Sequence, residues 1–435
     1  MTMLRPMLFA VGRGAILPRL STCSRRQFSS TSPAWIVRAV FRKTENEELN
    51  KVLQNIQEKI IFPAYLPPKQ RKLVFDADKR DELEMNPVII EVEDQEYRFP
   101  PLDRSKDIPN HRNAFLDAIY NMQTTSDWDN LATLLAGYRK ASIDLRSTDF
   151  GKMCRLADRT GNIQTIIECA KQWQETGFKI SSWEFVHRIL LSNNAKIYNN
   201  SDDRQQAIHA YRQVLVVLDM LLRPEHSLLK LENQPKPPYS PLVRGLHLYA
   251  LCSAIKAKQL DGKDVEKDMS SLREELKTFT SLWTEDVMSK IDEIPEVQFI
   301  NPSHCTRRKG RQTGVNGFAY LQIVSQAARA CELAIELVGD DARYLNQVRD
   351  AIDAHITEFV KSAWGRNETW DDVYEKIMGR RPDWPPHEHR EDFKHSFVKR
   401  VRNILESRKW SGPGCPSETS DEALPAERRT DEGAV

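Results

Sequence analysis

Residues Ser147–Ser181 read STDFGKMCRLADRTGNIQTIIECAKQWQETGFKIS, two apolar-periodic stretches joined at Gly161 and closed by Thr176-Gly177. Phe150, Met153, Cys154 and Ala157 before the turn, and Ile163, Ile166, Ile167 and Ala170 after it, recur three and four residues apart. That is the period of a helix burying one stripe, so the segment is predicted to be a helix pair. The same spacing extends outward. Phe115, Phe150 and Phe185 lie 35 residues apart, and the frame also aligns Ile119 with Cys154 and Ile189, Leu131 with Ile166, Leu134 with Cys169, Tyr138 with Trp173, Ile143 with Phe178, and Leu145 with Ile180. One helix pair cannot bury its stripe alone, whereas stacking on the next pair buries both. First helices are therefore predicted at residues 111–123, 149–159 and 183–192, and second helices at 127–140, 162–175 and about 205–222. Residues 193–203 (NNAKIYNNSDD) read as an insertion in the third unit. Phe115, Phe150 and Phe185 are expected at equivalent buried places, with Trp128, Trp173, Trp183 and Trp283 in the core between helices.

The unit at 147–181 resembles a pentatricopeptide repeat, with an aromatic residue near its start, Gly161 at the inter-helix turn and Thr176-Gly177-Phe178-Lys179 closing the second helix. The preceding unit has the length but lacks the turn glycine, and a related two-helix repeat satisfies the same spacing. The resemblance covers about 110 of 435 residues. It implies an α-solenoid and RNA recognition by polar residues at the fifth and last positions of each unit. Those positions are Asp117, Lys152 and His187, with Ser147 and Ser182. They are not the family's usual Thr, Ser, Asn and Asp combinations, so modular base reading is not expected here.

The fold class expected is all-α: an α-solenoid of helix-turn-helix repeats with a small N-terminal helix plus β-hairpin and an irregular helical C-terminal part. Residues 44–110 form the first segment. Leu49, Val52, Leu53, Ile56 and Ile60 mark a helix that Pro63 is expected to stop; a Pro-rich connector (Pro63, Pro67, Pro68) follows, then a hairpin with arms at 88–92 and 96–99. The repeats occupy 111–223. A further helix pair (242–258 and 265–283) and a Pro-rich loop fill 224–300. Residues 301–410 hold a basic loop and helices at 318–338, 342–364 and 393–408, and 411–435 is predicted to be a disordered tail.

Charge is distributed unevenly. Residues 1–44 contain eight Arg or Lys and no acid, leaving 55 cations against 62 acids in the rest, a formal −7. This start, with Arg5, Arg13, Arg19, Arg25 and Arg26 among apolar and hydroxyl residues, has the pattern of a mitochondrial transit peptide over 1–35, with a mature start near Ser29 or Ile36. Matrix localisation is thus expected, and any RNA contact must come from a local patch rather than a global field. No apolar run long enough to span a membrane occurs; the nearest, 318–338, is broken by Arg329, Glu332 and Glu336. Seven cysteines without a CxxC pair fit a reducing compartment and no disulfide framework.

The sharpest patch is Thr306–Gly314, where Arg307, Arg308, Lys309 and Arg311 put four cations into five positions with no intervening acid. Such a loop can track a phosphate backbone, and equally an acidic protein surface. These four are the nucleic-acid-binding candidates, with Lys399, Arg400, Arg402, Arg408 and Lys409 as a lesser extension. His387, His389 and His395 lack metal-site spacing, and neighbouring His304 and Cys305 lack an oxyanion-hole signature. Neither a P-loop nor GxGxxG is present. No catalytic, metal or cofactor site is expected. The sequence points to a matrix protein supporting organelle gene expression through RNA binding, mitoribosome association or translation. The alternative is a protein scaffold, such as a respiratory-complex assembly factor or a structural mitoribosome subunit.

Overall fold

A computed structural model describes residues 40–92, 95–226, 236–303, 315–363 and 366–384. The chain divides into two units, 1–382 and 383–435, and the description below concerns the first. It is built from helices, and among the described residues the one sheet is a two-stranded hairpin. None of the described helices is long and apolar enough to cross a membrane.

Helix α1 (Glu47–Ile56) starts at Asn46, whose side chain accepts from the Leu49 N–H. Contrary to expectation, Pro63 does not stop it. The chain runs on through a π turn (Gln57–Ile61) into a further turn (Phe62–Tyr65). A π turn spaces its hydrogen bonds one residue wider, and proline near the start of the following turn needs no N–H partner. The expected connector is likewise helical in part (Pro68–Val74, Arg80–Met85). The hairpin pairs β1 (Ile89–Val92) with β2 (Gln95–Arg98), Ile90 facing Tyr97. A lone hairpin is marginal in water. Here Phe62, Leu66, Val74, Leu83, Val88, Phe99 and Leu102 give it a small core of its own.

The helix pairs follow as α2 (His111–Asn121) with α3 (Leu131–Lys140), α4 (Ser147–Arg159) with α5 (Ile163–Lys171), and α6 (Trp183–Asn199) with α7 (Arg204–Leu222). α2, α4 and α6 pack in succession, and α3 meets α5. Gly161 and Gly177 both have φ +72°, the left-handed conformation that ends a helix and that glycine adopts without a Cβ penalty. Phe115 and Phe185 are buried, Phe115 against Tyr138 and Phe185 against Phe178. Phe150 departs from the expected equivalence: it is partly buried and meets Phe178, the aromatic at the end of its own unit. Trp128, Trp183 and Trp283 are core residues. Trp173 is not; it is partly exposed, with the Lys179 ammonium 4.5 Å from its ring centre and the Arg139 guanidinium donating to its carbonyl at 2.7 Å.

The third unit differs most from its expected form. Residues 193–199 continue α6 instead of forming an insertion, because the Asn193 amide donates to the Ala210 carbonyl and the Asn194 amide to Leu246 O and Gln326 Oε1. From there the packing becomes a bundle around two long helices, α8 (Pro241–Leu260) and α10 (Gly317–Val338), joined by α9 (Glu266–Leu282), α11 (Leu345–Ser362) and α12 (Glu368–Met378). α10 is buried on nearly every face, which is why its sequence came closest to an apolar span. α12 was not anticipated from sequence; it closes the bundle by packing on α10 and α6.

Candidate functional site

α4 and α6 meet beside Gly151, where a Cβ would stand 3.1 Å from the Glu184 carboxylate. Glu184 pairs with Arg155 at 2.7 Å, and Arg188 reaches both Glu184 (3.8 Å) and Asp158 (3.9 Å). Arg112 on the preceding unit similarly clamps the buried Asp149 at 2.7 Å. The Arg155, Glu184, Arg188 and Asp158 pairs lie in one wall of a groove of about 1160 Å³. Its other wall is the start of α10 (Asn316, Phe318, Ala319, Gln322) with α12 (Thr369, Asp372, Val373, Lys376).

Six cations line this groove, Lys152, Arg155, Arg159, Arg188, Lys196 and Lys376, against three acids, Asp158, Glu184 and Asp372. Arg155 and Arg188 are engaged by Glu184 and Asp158. Lys152, Lys196 and Lys376 pair with no acid among the described residues, and Arg159 acts on the adjacent Asp158 through its charge without a close ion pair. Lys196 is partly buried, and loss of hydration lowers the pKa of its ammonium. Burial also pushes the Asp158 carboxyl up, opposed by a hydrogen bond from Ser192 and by the Arg188 charge. The positive surplus of the concavity therefore sits on the α4–α6 wall, while the second wall carries one cation, Lys376, and one acid, Asp372. Beneath the concavity lie the buried side chains of Leu191 and Val373 and the partly buried Ala195.

Of the positions singled out in the sequence, Lys152 faces this groove, Asp117 is exposed elsewhere, and His187 is fully buried. Ser182 caps α6 by accepting from the Phe185 N–H, and Ser147 opens α4. The fifth positions thus form no exposed row. Arg307, Arg308, Lys309 and Arg311 lie outside the described residues. So do residues 1–35, His304, Cys305, His387, His389, His395, the cations at 399–409 and the tail. No group of His, Cys, Asp or Glu among the described residues is placed to hold a metal, and Cys154, Cys169, Cys252 and Cys331 are buried thiols whose pKa burial raises. Arg159, Lys196 and Lys376 escaped the sequence reading because each is an ordinary cation within its own helix. Only the fold makes them neighbours of one cavity.

His187 has a structural partner instead. Its Nδ1–H donates to the Trp183 carbonyl at 2.9 Å, leaving Nε2 facing the buried Glu296 carboxyl at 3.8 Å, while the other Glu296 oxygen accepts from the Leu242 N–H at 2.8 Å. Burial lowers the His187 pKa to about 4 and raises that of Glu296 to about 8. Both groups are neutral in the folded protein near pH 7. The unfolded chain, by contrast, holds a charged glutamate above pH 4.5 and a charged histidine below 6.5. Between those two values the proton taken up by Glu296 on folding cancels the one lost by His187. Between pH 6.5 and 8 only Glu296 counts: the folded state binds the extra proton, so stability falls as pH rises. The expected loss over that window is about 2 kcal/mol at roughly 1.4 kcal/mol per unit. Glu296→Gln, which keeps the acceptor for Leu242 and a donor toward His187, should flatten it. Urea midpoints at pH 6.5 and 8 check this; equal slopes in both proteins would show that Glu296 ionises freely.

Comparison with known proteins gives two matches. The family model described as mitochondrial ribosomal protein mS27 matches residues 26–376, most of the chain and nearly all of the described body. The small ribosomal subunit protein mS27 of Neurospora crassa is 30% identical over 207 residues, which cover 47% of this chain and 52% of that protein. The match thus spans about half the length of this curated relative.

Proposed function

The chain belongs to the mitochondrial ribosomal protein mS27 family, and from that membership we propose that it is a non-enzymatic component of the small subunit of the mitochondrial ribosome, working in the matrix in translation. The observation that carries the reading is the extent of the family match, 26–376, which takes in the helix pairs and the bundle together. The acid-free, Arg-rich start supports matrix import. Tagged protein in lysed mitochondria should sediment with the small subunit and its RNA, and depletion should reduce labelling of newly made proteins encoded by the mitochondrial genome. Sedimentation only as free protein, with labelling unchanged, would refute the assignment.

Within that function, Arg307, Arg308, Lys309 and Arg311 are the proposed contact to ribosomal RNA, and the pentatricopeptide resemblance of 147–181 supports RNA as a partner without a base-reading code. Phosphate contacts position a protein without specifying sequence. Replacing all four with glutamine should weaken binding to every small-subunit RNA fragment alike, and lower the salt slope by about 0.7 per lost single-strand contact. Filter binding across a salt series, with circular dichroism to confirm the helices, measures both. An unchanged slope would remove this loop from the RNA interface.

A further inference from the structure

The groove between the α4–α6 wall and the α10–α12 wall is not absorbed by the RNA reading, and its chemistry selects between two polyanions. A single RNA strand is commonly held by cations together with exposed aromatic faces on which bases stack. Here neither aromatic residue of the groove is fully exposed: Tyr198 is 8% exposed, and Phe318 is partly buried, its ring tilted against Trp370 with centres 6.5 Å apart. A phosphate at every step would also meet Asp372, which is exposed and pairs with no cation among the described residues. What the groove offers is a set of cations at fixed places, Lys152 and Arg159 from α4, Lys196 from α6 and Lys376 from α12, with the carboxylates of Asp158, Glu184 and Asp372 between them. Its volume exceeds the range of roughly 300 to 1000 Å³ typical of small-molecule pockets, and so suits a length of chain.

We infer that this groove is a docking site for an acidic segment of a partner protein, whose carboxylates pair with Lys152, Arg159, Lys196 and Lys376. A protein segment can set its carboxylates at these cations and a neutral or basic residue opposite Asp372, which a strand charged at every step cannot do. A carboxylate beside Lys196 also supplies the counter-charge that its half-buried ammonium lacks. The inference stands on the groove alone and does not depend on the ribosomal assignment.

The test places benzoylphenylalanine at Thr148 or Thr369, exposed positions on opposite walls, in the full-length protein in mitochondria, followed by irradiation and mass spectrometry. The expected result is a nuclease-resistant protein adduct mapping from both positions to one segment with a surplus of Asp and Glu. A synthetic peptide of that segment should bind the purified chain at least tenfold more weakly after Lys152→Gln, Arg159→Gln, Lys196→Gln and Lys376→Gln together. It should bind more tightly to Asp372→Lys, a single exposed change that keeps the test valid if the quadruple variant folds poorly. RNA adducts from both positions, no adduct at all, or peptide affinity indifferent to Asp372→Lys would each overturn the inference.

Discussion

Truncating Phe115 or Phe185 to alanine should cost about 3 to 5 kcal/mol, while the same change at Phe150, equivalent in the 35-residue frame, should cost only about 1 to 2 kcal/mol. Phe115 has no exposed surface and packs edge-on against Tyr138 with centres 5.7 Å apart. Phe185 is 2% exposed and packs on Phe178 at 5.9 Å. Removing either ring leaves a cavity that the surrounding helices close only in part. Phe150 keeps some contact with water, so its truncation removes less buried surface and opens less void. Urea unfolding of the three variants at one pH ranks them. A cost at Phe150 as large as at Phe115 would mean that its outer edge is covered in solution.

That difference shows where periodicity succeeds and where it stops. Matching apolar positions 35 apart requires only that each helix turn one stripe inward, and α2 to α5 follow that stripe. Spacing says nothing of what lies beyond the last ring of a given unit, so Phe150 and Trp173 were expected deeper than they are. The α6 extension failed to register for a different reason. Asn193 and Asn194 in sequence favour turns, since their side chains compete for backbone groups. In the folded chain those same amides reach the carbonyls of Ala210 and Leu246, partners 17 and 52 residues away, and the helix continues. Pro63 was read as a stop because the rule concerns helix interiors; the π turn before it moved that residue to the first turn of a new segment. The groove was the least legible feature. Lys152 falls at a fifth position of the 35-residue frame, but its counterpart His187 is fully buried and faces Glu296, so that frame does not lead to the groove. Lys196 and Lys376 had no local signal at all, because unpaired charge is a property of what surrounds a side chain and not of its own sequence context.

At the centre of the bundle, Gly245→Ala should destabilise the protein, and Gly245→Leu should do so at or beyond the roughly 3 kcal/mol upper end for overpacking. A Cβ at residue 245 on α8 would stand 2.7 Å from the Cβ of Ala327 on α10 and 3.2 Å from its Cα. Neither atom can rotate away, so the two most extensively packed helices would have to move apart along their whole contact. Alanine gains about 1 kcal/mol of intrinsic helix propensity over glycine, which opposes the clash and makes the sign of Gly245→Ala informative. Adding Ala327→Gly to Gly245→Ala removes the 2.7 Å contact and leaves the one at 3.2 Å, so part of the lost stability should return. A coupling of about 0.5 to 3 kcal/mol in the double-mutant cycle is the expected signature of this direct approach. If Gly245→Ala instead stabilised the protein by its propensity gain, with no coupling to Ala327, α8 and α10 would be free to separate, and the close crossing would not be what holds the bundle against the helix pairs.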